Sequence, residues 1–259
     1  MPAELLTERT GAVLVLTLAD PPTRNTLSHQ VIAAGIEALN VAESEAQIRC
    51  VVLRGAGAHF CAGGNLQGLL ERRRSGPAAQ VQMLDHLHQW VEALRAFPKP
   101  VIAAVEGAAA GAGFSLALAC DLIVAAEDAR FILSYGRIGL SPDGGATWSL
   151  MQSLPRQRVQ QLVWLGEPVS ARQLAEWGLV GWVVGSGQAY AEATRVAQRL
   201  AELAPNALAS GKELLQNAPG HSLPQQLAAE RDHFVENLFH ANGVEGLNAF
   251  VEKRAPKFS

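Results

Sequence analysis

Cysteine is scarce in this chain: three residues in 259, with no CxxC pair, exclude a disulfide framework and a thiolate zinc site. Cys50, Cys61 and Cys120 each lie in an apolar run, which reads as reduced, packed thiols in a cytosolic setting. Seven histidines form no HExxH pair, so no metal site is expected, and His86 and His88, two positions apart, fall on different helix faces and read as surface residues. No window reaches the roughly 18 apolar residues of a membrane span, and the N-terminal MPAELLTERTGAVLVL has no basic stretch ahead of an apolar segment. The expectation is a cytoplasmic protein without membrane association. Charged residues make up 17% with a net charge of −3, which argues against a nucleic-acid partner, since such a surface needs a strong basic excess. GxGxxG and the P-loop pattern are also missing, which counts against a Rossmann sheet or a nucleotide cradle.

What is present is a hydrophobic content of 49% and two glycine clusters set between apolar runs. Val101 to Asp121, VIAAVEGAAAGAGFSLALACD, begins as a buried β-branched strand and passes Gly107, Gly111 and Gly113 into helical spacing through Leu116 to Ala119. The first amides of such a helix lack intrahelical acceptors and sit at the positive end of its dipole. Upstream, IRCVVLRG runs into AGAHFCAGGNL, a second strand entering a glycine loop at Gly63 and Gly64. Two N–H donors from two loops form an arrangement that stabilises negative charge on a carbonyl oxygen.

The other elements follow from local signals. Ala12 to Leu18 reads as a strand broken by DPPTRN, and Ser28 caps a helix to about Glu43. Leu66 to Ala96 reads as two helices joined at Ser75-Gly76-Pro77, with Arg72, Arg73 and Arg74 on a solvated face. DLIVAA is a further strand, and IGLSPDGGATW a loop entering a helix near Gly145. Repeated strand–strand–helix units point to a stacked α/β spiral. Ser170 and Gln173 form a capping box, with Gly178 ending that helix. From Ala189 onward the pattern is almost wholly helical, with an apolar stripe at Leu223, Leu227, Phe234, Val235 and Leu238, and Asn242 with Glu245 reads as the cap of the last helix. An apolar tail on a complete core points to subunit contacts. Of the acids, Asp121 reads as structural and Glu106 as an ion-pair partner, while the neutral Asn65 reads as a loop tie.

HFCAGGNL followed by PVIAAVEGAAAGAGFSLALACDLIVAAEDARF, IGLSPDGG, GEPVSARQLAEWGLVGWVV and the terminal FVEKRAPKF resembles the enoyl-CoA hydratase/isomerase (crotonase) superfamily over nearly the whole chain. The resemblance implies a crotonase-like spiral of ββα units over residues 1–195 and a C-terminal helical region, 196–259, that builds trimers or hexamers made of two trimers. It implies no permanently bound cofactor and a substrate carried as a coenzyme A thioester, whose enolate oxygen meets the amides of Gly64 and Ala112. Arg24, Ala62, Gly63 and Leu66 would hold the coenzyme, with Phe250 and Lys253 reaching that of a neighbour. Leu70, Met83, Leu84, Leu87, Ser115 and Tyr135 would line the acyl pocket. The family's hydratases use two glutamates at the positions of Ser115 and Tyr135, and neither residue is a general base at neutral pH. Several branches of the family carry a catalytic Asp at the position of Asp143, and the motifs are most similar to the ring-epoxide isomerases of phenylacetyl-CoA breakdown. The expected activity is isomerisation of an enoyl-CoA-type thioester with Asp143 as acid/base. Hydration or hydrolysis of an acyl-CoA, and a non-catalytic acyl-CoA scaffold, are the alternatives.

Overall fold

The computed structural model describes residues 3–259. Four strands run through the interior in parallel because their sequences allow burial on both faces, β2 (Val13–Ala19), β3 (Cys50–Gly55), β4 (Val101–Val105) and β6 (Leu122–Ala126), and half-buried β9 (Trp182–Val184) continues the parallel run at the edge. They pair in that order, and β1 (Glu4–Thr10) adds antiparallel to β2 at the edge. A second sheet holds β5 (Ala108–Ala110), β7 (Arg130–Ile132) and β8 (Val169–Ser170). Single bridges join Leu27 to Gly64 and Cys61 to Ala109, so short segments from successive turns of the chain stack beside β5. This layering is the expected spiral of ββα units.

Helices α1 (His29–Ser44), α2 (Leu66–Ser75), α3 (Pro77–Ala96), α4 (Ala112–Ala119), α5 (Ala146–Ser153), α6 (Arg156–Leu165) and α7 (Ala171–Glu176) complete the spiral. Helix α8 (Ala189–Ala201) covers the opposite face of the large sheet through Ala189, Ala193, Val196 and Ala197, which meet Val15, Val52 and Val124. The expected division after residue 195 therefore falls inside α8. Beyond it, α9 (Pro205–Asn217), α10 (Leu223–Phe239) and α11 (Ala241–Glu252) form the tail. Lys212 of α9 anchors this tail by donating to Asp121 at 2.8 Å.

Local signals account for many boundaries. Ser28 Oγ accepts from the Val31 amide, and Ser170 and Gln173 form a reciprocal capping box. Gly35 lets α1 meet α3, because a Cβ there would lie 2.3 Å from the fully buried Trp90 ring.

Two strands, β1 and β5, were not visible in the sequence. β1 is polar and exposed, and β5, three alanines between glycines, reads as part of a turn; neighbouring backbone alone makes each a strand. Three side-chain readings also change. Asn242 does not cap α11, since His240 does; Asn242 is buried, donating to Asn206 and Ser259 while Glu245 pairs with Arg254. His86 is half-buried with its ring against His29, so only His88 is a surface residue. Among the described residues Glu106 makes no ion pair; it accepts from the Gly187 and Ala189 amides and so tethers the start of α8.

Candidate active site

The two glycine loops meet because the backbone pairs them. Cys61 donates to the Ala108 carbonyl and accepts from the Ala110 amide, at 3.0 and 2.8 Å. A side chain at Gly63 would strike the Ala110 carbonyl, and one at Gly113 the Cys61 carbonyl, at 2.6 and 2.3 Å. Glycine is therefore required for contact as well as for turning. Asn25, fully buried, locks the assembly by donating to the Ala56 and His59 carbonyls. Among the described residues, no acceptor within the chain takes up the Gly64 or Ala112 amide. Ala112 opens α4, so its N–H belongs to the unpaired first turn of that helix.

Both amides border one cavity of about 410 Å³, which also receives Asp143. Asp143 precedes two glycines with positive φ, Gly144 at 58° and Gly145 at 78°, that turn the chain into α5. Buried Ser115, on α4, donates to the Asp143 carbonyl at 2.9 Å, and Tyr135 donates its hydroxyl to Asp143 Oδ1 at 2.6 Å. The residues at the two glutamate positions thus hold the carboxyl-bearing loop between them. Burial raises the Asp143 pKa above the ordinary carboxylate range, while the Tyr135 hydrogen bond and nearby His88 pull it back. Tyr135 moves upward strongly, through burial first and then the Asp143 charge, and so remains a donor. Cys61 lies beneath the glycine loop with its thiol pushed up to about 12 by burial, which keeps it from acting as a thiolate.

Met83, Leu84 and Leu87 border the cavity together with Ala62, Leu66 and Tyr135. Ser115 stands behind the wall, under the Asp143 loop. Leu70 does not reach the cavity. It is exposed and lines an adjoining outer groove with Arg73 and Pro77, while Leu69, about 100° round the helix, takes its place on the wall. Arg24 is exposed at φ 60°, its carbonyl accepting from the Ala62 amide, and Gly63 is buried beneath the loop. Phe250 and Lys253 sit at the far end of α11, with Phe250 85% exposed.

Sequence reasoning missed the Tyr135–Asp143 hydrogen bond and the wall residues Arg72, Gln80, Ile138 and Leu140. The signal available was the placement of positions 115 and 135 in one site by resemblance, which makes them neighbours of any carboxyl brought there. Chemically, two uncommitted amides and a half-buried carboxyl in one cavity can stabilise an oxyanion and move a proton beside it.

Comparison with known proteins places the chain among relatives of one family. Residues 8–259 match the family described as Enoyl-CoA hydratase/isomerase. Among curated relatives, the 1,2-epoxyphenylacetyl-CoA isomerase of Escherichia coli K12 is 38% identical over 95% of both chains. The 2,3-dehydroadipyl-CoA hydratase of the same organism is 34% identical over 99% of this chain and 98% of its own. The solved structure of an enoyl-CoA hydratase from Polaromonas sp. JS666 is 55% identical, covers 99% of this chain and 100% of its own, and superposes with a TM-score of 0.98.

Proposed function

The chain belongs to the enoyl-CoA hydratase/isomerase family, and on that premise we propose that it isomerises an acyl-CoA thioester through an enolate. The thioester oxygen lies between the Gly64 and Ala112 amides. The Asp143 carboxylate takes a proton from a carbon made acidic by the carbonyl, and the electron pair moves onto that oxygen. The carboxylic acid so formed returns the proton to a different carbon, and the double bond or ring is left rearranged with no atom gained or lost. Ser115 and Tyr135 hold Asp143 in place, and Tyr135 keeps a proton donor on the carboxylate when it is charged.

One observation carries this reading: among the described residues Asp143 is the sole carboxylate on the wall of the cavity that holds both amides. A single carboxyl suits a proton shuttle, which needs no activated water. The 1,2-epoxyphenylacetyl-CoA isomerase supports a ring-bearing acyl group. The hydratase names among relatives favour a second reading, in which Asp143 alone orients water on a 2-enoyl-CoA.

The coenzyme moiety is held by Arg24, Ala62, Gly63 and Leu66, with no cofactor bound permanently. The exposed apolar face of α10 and α11 is covered by further copies in a homotrimer or a hexamer of two trimers, where Phe250 and Lys253 reach a neighbour's coenzyme. A cytoplasmic setting fits the buried, unpaired thiols, and no helix among the described residues is long and apolar enough to cross a membrane.

The test is mass spectrometry and proton exchange in deuterated buffer with 2-enoyl-, 3-enoyl- and ring-epoxide acyl-CoAs. Isomeric products without water addition are expected. Hydration of crotonyl-CoA within the ordinary enzyme range of roughly 1–10³ per second would put the hydratase reading first.

A further inference from the structure

The cavity that holds Asp143 carries one other charge. Arg72, on α2, borders it and is the only cation on its wall among the described residues. Its neighbours Arg73 and Arg74 are exposed, whereas Arg72 is half-buried. Arg72 Nε donates to Gln80 Oε1 at 2.7 Å, which fastens α2 to α3 and fixes the plane of the guanidinium. Nη1 lies only 3.0 Å from where a Cβ on Gly68 would stand, so the group lies over a position without a side chain. No carboxylate among the described residues forms an ion pair with Arg72.

Leu66, Leu69, Met83 and Ile138 border the same cavity. A charged group in such a wall loses part of its hydration, and a neutral glutamine carbonyl compensates only one of five donors. The planar fork of a guanidinium matches a carboxylate in shape and charge. Asp143 does not answer this charge, because its carboxyl is engaged by Tyr135.

We propose that Arg72 is a specificity-determining residue that selects acyl groups ending in a carboxylate, so that the thioester end meets Asp143 and the far end meets Arg72. This rests on the reading of the cavity as the acyl pocket of a coenzyme A thioester. Substrates would be thioesters of dicarboxylic acids or of opened or oxidised rings bearing an acid.

The experiment uses saturated thioesters, which bind but have no double bond to isomerise. Calorimetry on the full chain compares succinyl-, glutaryl- and adipyl-CoA with butyryl-, pentanoyl- and hexanoyl-CoA. The carboxylate-ended thioester of fitting length is expected to bind about 10- to 100-fold more tightly than its methyl-ended twin. Arg72→Met should erase that preference, Arg72→Lys should keep part of it, and Arg73→Met should leave the ratio unchanged. Equal binding of the twins, or a preference that survives Arg72→Met, overturns the proposal. Failure of both series to bind overturns it together with the acyl-pocket reading. A carboxylate preference that depends on Arg72, with no isomerase activity on any thioester, would sink the reaction and leave Arg72 as assigned.

Discussion

Helix α4 is apolar at six of its eight positions and α10 at eight of seventeen, yet the two stand at opposite ends of burial. All eight residues of α4 are buried, while α10, seventeen residues long, buries none, with Phe234 69% and Phe239 80% exposed. Helix α4 is surrounded by its own chain on every side, so its glycines and alanines set how closely other backbone can approach. Helix α10 touches mainly α9 and α11, and its apolar side chains have no complete partner within the chain. The difference separates what folding of one chain finishes, the cavity with Asp143, from what it leaves open, the tail.

That contrast predicts that chemistry and assembly can be broken separately. The largest effect belongs to Asp143→Asn, which keeps size and the acceptor for Tyr135 while removing the proposed base. Isomerisation should fall by about 10²- to 10⁴-fold, with affinity for a saturated thioester within a few fold and the oligomeric state unchanged. Wild-type turnover in this variant, followed by product mass spectrometry, would remove Asp143 from the mechanism.

Ala112→Pro acts on the same side of the contrast through the backbone. Proline is accepted at the first position of a helix, where its missing N–H had no partner. The melting temperature should stay near wild type while the proton-exchange rate drops about 10²- to 10³-fold, with Ala112→Gly as the control that keeps the amide. Normal melting with normal exchange would place the donor elsewhere.

On the tail, Phe234→Asp should dissociate the proposed trimer, as read by light scattering, and weaken thioester affinity by removing a neighbour's Phe250 and Lys253, while turnover at saturating thioester, set by Asp143 in the core, persists. On a truly solvent-facing surface the same change would alter stability by no more than about 0.5 kcal/mol and leave the mass unchanged. That result would mean that α10 needs no partner, and the comparison with α4 would lose its meaning.

The smallest expected effect concerns pH. Burial raises the Asp143 pKa in the folded chain, so folding favours its protonated form. Its stabilising contribution is complete below the unfolded value of about 3.9 and is lost as pH rises through the higher folded value. The stability difference between Asp143→Asn and wild type should therefore shift in favour of the variant across that interval and then level off. Tyr135→Phe removes the hydrogen bond that pulls this pKa down, so the acidic limb of the pH–rate profile should move to higher pH. An unmoved limb would show that Tyr135 does not act on the charge of Asp143.

The sequence alone settled much of this. The apolar runs of β2, β3, β4 and β6 announced buried strands, because both faces of an inner parallel strand are covered. Ser28, Ser170 and Gln173 marked helix starts through chemistry confined to one turn. The glycine loops and Asp143 stood out because their spacing resembles a known family. Other features depend on what lies opposite. β5 is a strand only because Arg130–Ile132 runs beside it, and Asn242 is an internal tie only because Asn206 and the chain end reach it. Leu69 replaces Leu70 on the cavity wall by a rotation that the apolar pattern of α2 does not fix. Tyr135 and Arg72 gain their meaning at contacts across gaps of 8 residues in sequence, to Asp143 and Gln80. Local sequence determines elements through short-range sterics and capping, whereas the environment of a charge is set by segments that meet only after the spiral has closed.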